Sequence, residues 1–114
     1  MGQHMEEGID LFNRGEYFRA HEEFEAIWLA AKGPSRPLYQ GLVQACAGLL
    51  KIERGERTGA LRLFERALAN LREGGREGMP EPRVLDLARF IRDLETAAAS
   101  CAGGGPIAAP TIQR

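Results

Sequence analysis

The sequence contains an internal repeat, and this repeat restricts the fold more than any other feature. When the chain is shifted so that Gly15 lies on Gly55, a shift of 40 positions, the segment RGEYFRAHEEFE aligns with RGERTGALRLFE. The matching pairs are Arg14/Arg54, Gly15/Gly55, Glu16/Glu56, Ala20/Ala60, Phe24/Phe64 and Glu25/Glu65, with Gly8/Gly48 upstream. Self-similarity of this kind indicates a helical unit that occurs twice and packs against its own copy.

Each copy has the pattern of a helical hairpin, with a first helix, a turn at glycine and a second helix. Gly8 and Ala20 are small enough to let the two helices approach, and Phe24 fills the groove between them. This spacing resembles the tetratricopeptide hairpin, although that repeat has a period of about 34 residues and is usually present in three or more copies. We therefore expect two such hairpins in one compact bundle, and not an open array.

Glycine- and proline-rich segments divide the chain into helical patterns, and no segment alternates with the period of two that a strand requires. The predicted helices cover about 5–14, 16–31, 37–54, 56–73 and 82–99. The predicted fold class is all-α, a compact helical bundle of two tetratricopeptide-like hairpins plus a C-terminal capping helix, in one domain at 5–99. Residues 100–114 are mostly small residues, glycine and proline, so we expect a disordered tail there.

The second predicted helix carries polar residues where its apolar face is expected. On a helical wheel His21 and Glu25 follow Trp28 directly, and Phe18 and Leu29 lie on their far side. In the second copy, Leu61 occupies the position of His21. The pattern therefore predicts that His21 and Glu25 face the core.

The third predicted helix offers hydrogen-bond partners for these side chains. It has no charged residue from Leu38 to Leu50, which indicates a central, buried helix, and it places Gln40 and Gln44 on one stripe. Buried polar groups need partners, and mutual hydrogen bonding is the simplest arrangement. We predict that His21, Glu25, Gln40 and Gln44 form one polar cluster beneath Trp28.

Two segments of the chain resemble a known family: FNRGEYFRAHEEFEAIW and LYQGLVQACAGLLKIERGERTGALRLFERALANL. The family is the uncharacterised prokaryotic domain of unknown function 309. The residues that carry the resemblance are Gly15, His21, Glu22, Glu25, Trp28, Gln40, Gly41, Leu42, Gln44, Gly55, Gly59 and Ala60. It covers about residues 5 to 75 and implies a small all-helical protein with no assigned activity.

Three interpretations of the polar cluster remain open. It fixes the packing of the hairpins, it recognises a protein or small ligand in a groove lined by Trp28 and Tyr39, or it provides metal or acid/base chemistry through His21 and Glu25. For the cluster itself the packing role is the main expectation. The protein as a whole is expected to be a small binding or scaffolding protein, with His21, Glu25, Trp28, Gln40 and Gln44 as candidate binding residues. One histidine and one carboxylate make a thin metal site, so we assign no catalytic residue, no metal ligand and no cofactor.

The composition excludes several other classes of function. A formal net charge of −1 gives no positive field for nucleic acid, and no apolar run approaches the roughly 20 residues that cross a bilayer. The glycines lack the spacing and the following lysine of a phosphate-binding loop. Cys46 and Cys101 lie far apart without neighbouring metal ligands, and the first residues are polar, so we expect a cytoplasmic protein.

Overall fold

The computed structural model describes residues 2–76 and 85–114. Within these residues the secondary structure is entirely helical, with α1 at Gly2–Asn13, α2 at Tyr17–Ala30, α3 at Arg36–Glu53, α4 at Arg57–Arg76 and α5 at Leu87–Gly103. The predicted all-α class is confirmed. The predicted start of the last helix at Pro82 lies outside the described residues. No helix of the described part is both long enough and apolar enough to cross a membrane.

The turns of the two hairpins have the same geometry. The backbone N–H of Glu16 donates to the carbonyl of Leu11 at 2.9 Å, and that of Glu56 donates to the carbonyl of Lys51 at 2.9 Å. Between them Gly15 and Gly55 adopt positive φ angles of 81° and 76°, a conformation that glycine reaches without strain. The repeat seen in the sequence is therefore a repeat of backbone structure.

The packing between the helices of each hairpin also repeats. A Cβ atom placed on Gly8 would lie 2.5 Å from Cε1 of Phe24, and one placed on Gly48 would lie 2.6 Å from Cε1 of Phe64. Both phenylalanines are fully buried. The glycine provides the room that the ring occupies, as the spacing in the sequence predicts.

Helix α3 occupies the centre of the bundle, between α2 and α4. Its contact with α4, the other helix of the second hairpin, is also close at the beginning of α3, since a Cβ atom on Gly74 would lie 2.5 Å from the backbone nitrogen of Leu38. Leu38, Leu42 and Cys46 of α3 are fully buried. The uncharged run of this helix is therefore explained by contacts with both neighbouring helices.

The last helix closes the bundle onto the first. The ring of Phe90 on α5 packs edge-to-face against Phe12 on α1, with centroids 5.6 Å apart, and Phe12 also packs against Tyr17 at 5.3 Å. The side chain of Asp86 caps the start of α5 by accepting a hydrogen bond from the backbone of Arg89 at 3.2 Å. The expected capping helix thus links the two ends of a compact bundle.

The segment expected to be a disordered tail is placed differently by the structure. Helix α5 continues to Gly103, and the following residues run back to α1, where Ile112 is 1% exposed. Ile107 also packs against the core. The sequence-based prediction weighed the small residues of this segment and overlooked its two isoleucines, which supply buried apolar surface.

The glycine–phenylalanine contacts predict that replacing Gly48 by alanine lowers stability, although alanine is the better helix former. Gly48→Ala is expected to lower the free energy of unfolding by about 1–3 kcal/mol, because the added methyl overlaps the Phe64 ring. Gly59→Ala, whose Cβ atom would lie 3.6 Å from the nearest side chain, is expected to be neutral or to stabilise the protein by up to about 1 kcal/mol. Urea unfolding measures both variants. Equal effects on stability would contradict the proposed packing.

The Cys46 thiol predicts a loss of stability at alkaline pH. Burial raises the pKa of this thiol well above its ordinary value, so it stays protonated in the folded chain after it ionises in the unfolded chain. The contribution is complete below about pH 8.5 and declines above it, by at most about 1.4 kcal/mol per pH unit. Urea unfolding between about pH 7.5 and 9.5 measures this slope, below the range where tyrosines ionise. Cys46→Ala should flatten the slope, and identical slopes would contradict the assignment.

Candidate functional site

The predicted polar cluster does not lie in the core. No polar or charged side chain is buried among residues 2–76 and 85–114, and His21, Glu25, Gln40 and Gln44 are all half-buried. The prediction of burial was wrong because it relied on Leu61 as a core residue. Leu61 is itself only half-buried, so this position lies at the boundary of the core in both hairpins.

The hydrogen bonds also differ from those predicted. The Nδ2 group of Asn70 on α4 donates to Oε1 of Gln44 at 2.7 Å, so this amide joins α3 to α4 and not to α2. In the part of the chain that the structure describes, no hydrogen bond joins His21, Glu25 and Gln40 to one another. The four residues therefore form part of an exposed face and do not form a closed polar network.

Two large apolar side chains lie on the outward face of α2. Phe18 is 64% exposed and Leu29 is 67% exposed, and no other large hydrophobic residue of the described chain is exposed. They are 29 − 18 = 11 positions apart, which puts them on one side of the helix and about 16 Å apart along it. His21 and Glu25 lie between them on the same side. Ala20, Phe24 and Ile27 form the opposite, buried side.

The second hairpin shows that this apolar surface is not needed for the fold. The positions equivalent to Phe18 and Leu29 are Thr58 and Ala69 on α4, and both are exposed. A hairpin with the same turn and the same internal contacts thus forms without a surface phenylalanine. Comparison of the two copies identifies Phe18 as a surface residue from the sequence, because its equivalent is Thr58. The helical wheel alone placed Phe18 beside the core.

A shallow pocket lies between the start of α2 and the end of α3. It has a volume of about 180 Å³, and its walls are Phe18, His21, Ala47, Leu50, Lys51 and Arg54. The Nζ group of Lys51 donates to Oε1 of Glu56 at 3.3 Å. Among the described residues Arg54 makes no ion pair. The pocket thus combines apolar walls with an imidazole and two cationic groups. We call it the Phe18 pocket.

Trp28 lies near the end of α2, close to the beginning of α3 and away from the Phe18 pocket. The guanidinium carbon of Arg36 lies 5.0 Å from the centroid of its ring, which is a cation–π contact. The indole Nε1 group is enclosed, and no hydrogen-bond partner for it lies in the described residues. Tyr39, expected to line a groove with Trp28, is 3% exposed and belongs to the core, where burial raises the pKa of its hydroxyl.

The metal and acid/base interpretation concerns His21 and Glu25 of α2. No group of three or more histidine, cysteine, aspartate or glutamate side chains lies close enough to hold a metal ion in the ranges 2–76 and 85–114. His21 and Glu25 are one helical turn apart, and no third ligand of these types joins them there.

Comparison with known proteins identifies a family. Residues 5–63 match the model of a family described as a domain of unknown function (DUF309). No curated protein and no solved structure matches the chain. The match spans α1, α2, α3 and the beginning of α4, so it contains all residues of the Phe18 pocket, whereas α5 and the segment after it lie outside.

The exposure of these side chains predicts which residues stabilise the fold. Phe18→Ser and His21→Leu are each expected to change the free energy of unfolding by less than about 0.5 kcal/mol, because neither side chain is buried. Phe64→Ala, which removes a fully buried ring, should cost about 3–5 kcal/mol. Urea unfolding distinguishes these outcomes. A large loss of stability in His21→Leu would support the predicted buried polar cluster instead.

Proposed function

The chain belongs to the DUF309 family, and we propose that it is a protein-interaction module whose α2–α3 face binds an acidic amphipathic helix of a partner protein. The observation that carries this proposal is the exposure of Phe18, at 64%, on the wall of a pocket. Exposed aromatic side chains beside pockets are typical of interfaces, where they supply most of the binding energy.

The apolar residues of the face define the spacing of the partner. Phe18 and Leu29 lie three helical turns apart on one side of α2, so a helix packed along α2 meets both of them. The Phe18 pocket, with about 180 Å³, has room for one leucine-sized side chain. A helix with apolar residues three turns apart therefore matches the face, as in other complexes that dock a helix into a groove.

The charges of the face define the chemistry of the partner. Lys51 and Arg54 lie at the rim of the Phe18 pocket, and Arg54 has no acidic partner among the described residues. The His21 imidazole adds a further hydrogen-bonding group. Lys51 already donates to Glu56, and a carboxylate beside the anchoring apolar residue would pair with Arg54, so we expect acidic partners to bind in preference to basic ones.

The remaining candidate residues contribute less to this proposal. The indole N–H of Trp28 is enclosed, the Gln44 amide is already bound to Asn70 of α4, and Gln40 is half-exposed on α3. Glu25 lies between Phe18 and Leu29 and favours a hydrogen-bond donor at the middle of the partner helix. Two buried, unpaired cysteines are compatible with a reducing compartment, so a cytoplasmic location is part of this proposal.

Two synthetic peptides test the proposal. Both are fluorescent helical peptides with leucines 11 positions apart, and they differ only in the residues around the first leucine, glutamates in one and lysines in the other. The acidic peptide is expected to bind at least about tenfold more tightly at low salt, and the preference should diminish as salt screens it. Fluorescence anisotropy measures the dissociation constants. Equal affinity for the two peptides, or no saturable binding of either, would contradict the proposal.

Matched variants locate the binding face. Phe18→Ser should weaken binding of the acidic peptide at least about tenfold, and Arg54→Glu should abolish the charge preference. Arg14→Glu is the control, because Arg14 holds the same turn position in the first hairpin but does not line the pocket. Concentration-dependent self-association that is lost in Phe18→Ser would instead identify a second copy of the chain as the occupant.

A further inference from the structure

The segment after α5 is bound to α1 through its backbone. The Nδ2 group of Asn13, the last residue of α1, donates to the carbonyl oxygen of Ile112 at 2.8 Å, and the N–H of Ile112 donates to Oδ1 of Asn13 at 2.8 Å. One carboxamide thus satisfies both backbone groups of one residue. Neighbouring strands pair residues in the same reciprocal way, and the Asn13 carboxamide thus binds the backbone of Ile112 independently of its side chain.

Further contacts of the segment lie next to Asn13, and two of them involve its side chains. Ile112 is 1% exposed and belongs to the core cluster. The N–H of Asp86 donates to the carbonyl of Gln113 at 2.6 Å, and the guanidinium of Arg114 donates to Oδ1 of Asp10 at 2.7 Å. We call this the Asn13 site. It combines backbone hydrogen bonds, the burial of an isoleucine side chain and an acidic group, the kinds of contact that complexes with bound peptides also use.

Along the chain, residues 104–111 separate the Asn13 site from the end of α5, and Ile107 among them also packs against the core. Arg57 holds the beginning of the segment by donating to the carbonyl of Gly105 at 2.7 Å. Beyond that point a cavity of about 150 Å³ lies between Asp93 and Thr96 of α5 and residues 108–110. Gly104 has a positive φ of 77°, which provides a pivot where the helix ends. The contacts at Ile112 are thus distinct from the Arg57 contact at the beginning of the segment.

The second hairpin shows that the Asn13 site is an addition to the repeat. The position equivalent to Asn13 is Glu53, the last residue of α3, which is exposed. Within the described residues, the Glu53 side chain makes no hydrogen bond. The Asn13 site also shares no residue with the Phe18 pocket. Neither the hairpin fold nor the proposed interaction face accounts for it.

We propose that the Asn13 site recognises an extended segment with an isoleucine followed two residues later by a basic residue, and that it exchanges this segment between two copies of the chain. The sequence that fits is the chain's own PTIQR at 110–114, bound intramolecularly in the structure. Gly103, Gly104 and Gly105 form the hinge that lets the same segment reach a second copy. Exchange of an identical element gives the same contacts in both arrangements.

Recognition by the Asn13 site is tested in a full-length chain that has lost its own anchoring side chain. Ile112→Ser removes that side chain and leaves the sequence of all five helices unchanged. A synthetic peptide with residues 104–114 and an amidated end is then added in trans. Saturable shifts of the Asn13 side-chain amide signals are expected in nuclear magnetic resonance spectra. The same peptide with serine in place of isoleucine should bind at least about tenfold more weakly, because it buries no apolar side chain.

Two variants of the receptor side complete this test. Asn13→Ala combined with Ile112→Ser should abolish binding of the peptide, whereas Glu53→Ala, the same turn position of the other hairpin, should leave it unchanged. Failure of the native peptide to bind the Ile112→Ser chain would overturn the proposal. So would equal binding to the chain with and without Asn13→Ala.

Measurements on the native chain give an independent test. Asn13→Ala is expected to speed hydrogen exchange at the Ile112 amide about tenfold, because that N–H loses its acceptor. Exchange between copies is tested by adding unlabelled native chain to ¹⁵N-labelled Ile112→Ser chain, which should reproduce the Asn13 shifts of the peptide. An unchanged rate of hydrogen exchange at the Ile112 amide would overturn the proposed recognition by Asn13. Absence of the Asn13 shifts at millimolar concentration would overturn the proposed swapping of the segment between copies.

Discussion

The contact between a glycine and a phenylalanine ring sets the geometry of this protein. Gly8 with Phe24, and Gly48 with Phe64, hold the helices of each hairpin so close that no Cβ atom fits between them. Because protein interiors are close-packed, the ring and the missing side chain must match in volume. The same contact occurs in both copies, and α3 packs between α2 and α4.

This common geometry makes differences between the copies informative. A residue that the hairpin needs is present in both copies, as Phe24 and Phe64 are. Phe18 has Thr58 as its equivalent, and Asn13 has Glu53, so neither Phe18 nor Asn13 is required to build a hairpin. Each of these two residues lies at a surface where the first copy has gained a feature, an apolar pocket in one case and a backbone-binding amide in the other. Comparison of the copies thus separates the scaffold from the surfaces added to it.

Closure of the bundle depends on residues outside the repeat. Phe90 reaches Phe12 from α5, and Ile112 reaches the same end of α1 from the segment that follows. These contacts join parts of the chain that are 99 residues apart in the case of Asn13 and Ile112. They join α1 to the C-terminal part of the chain, and they leave the α2–α3 face uncovered. The proposed binding face and the Asn13 site therefore lie on different parts of the molecule.

The sequence by itself determined the helices, the two turns and the internal contacts of each hairpin, because these depend on residues near one another in the chain. Glycine at a position of positive φ and the spacing of Gly8, Ala20 and Phe24 are local signals of this kind. Only the tertiary structure decided which residues at the edge of the core are exposed. His21 and Glu25 were misplaced because a helical wheel gives an angle but not the position of the neighbouring helix, and Leu61 lies at the same boundary. The pairing of Gln44 with Asn70 and the docking of Ile112 on Asn13 were likewise decided by packing between distant segments, for which composition and periodicity carry no signal.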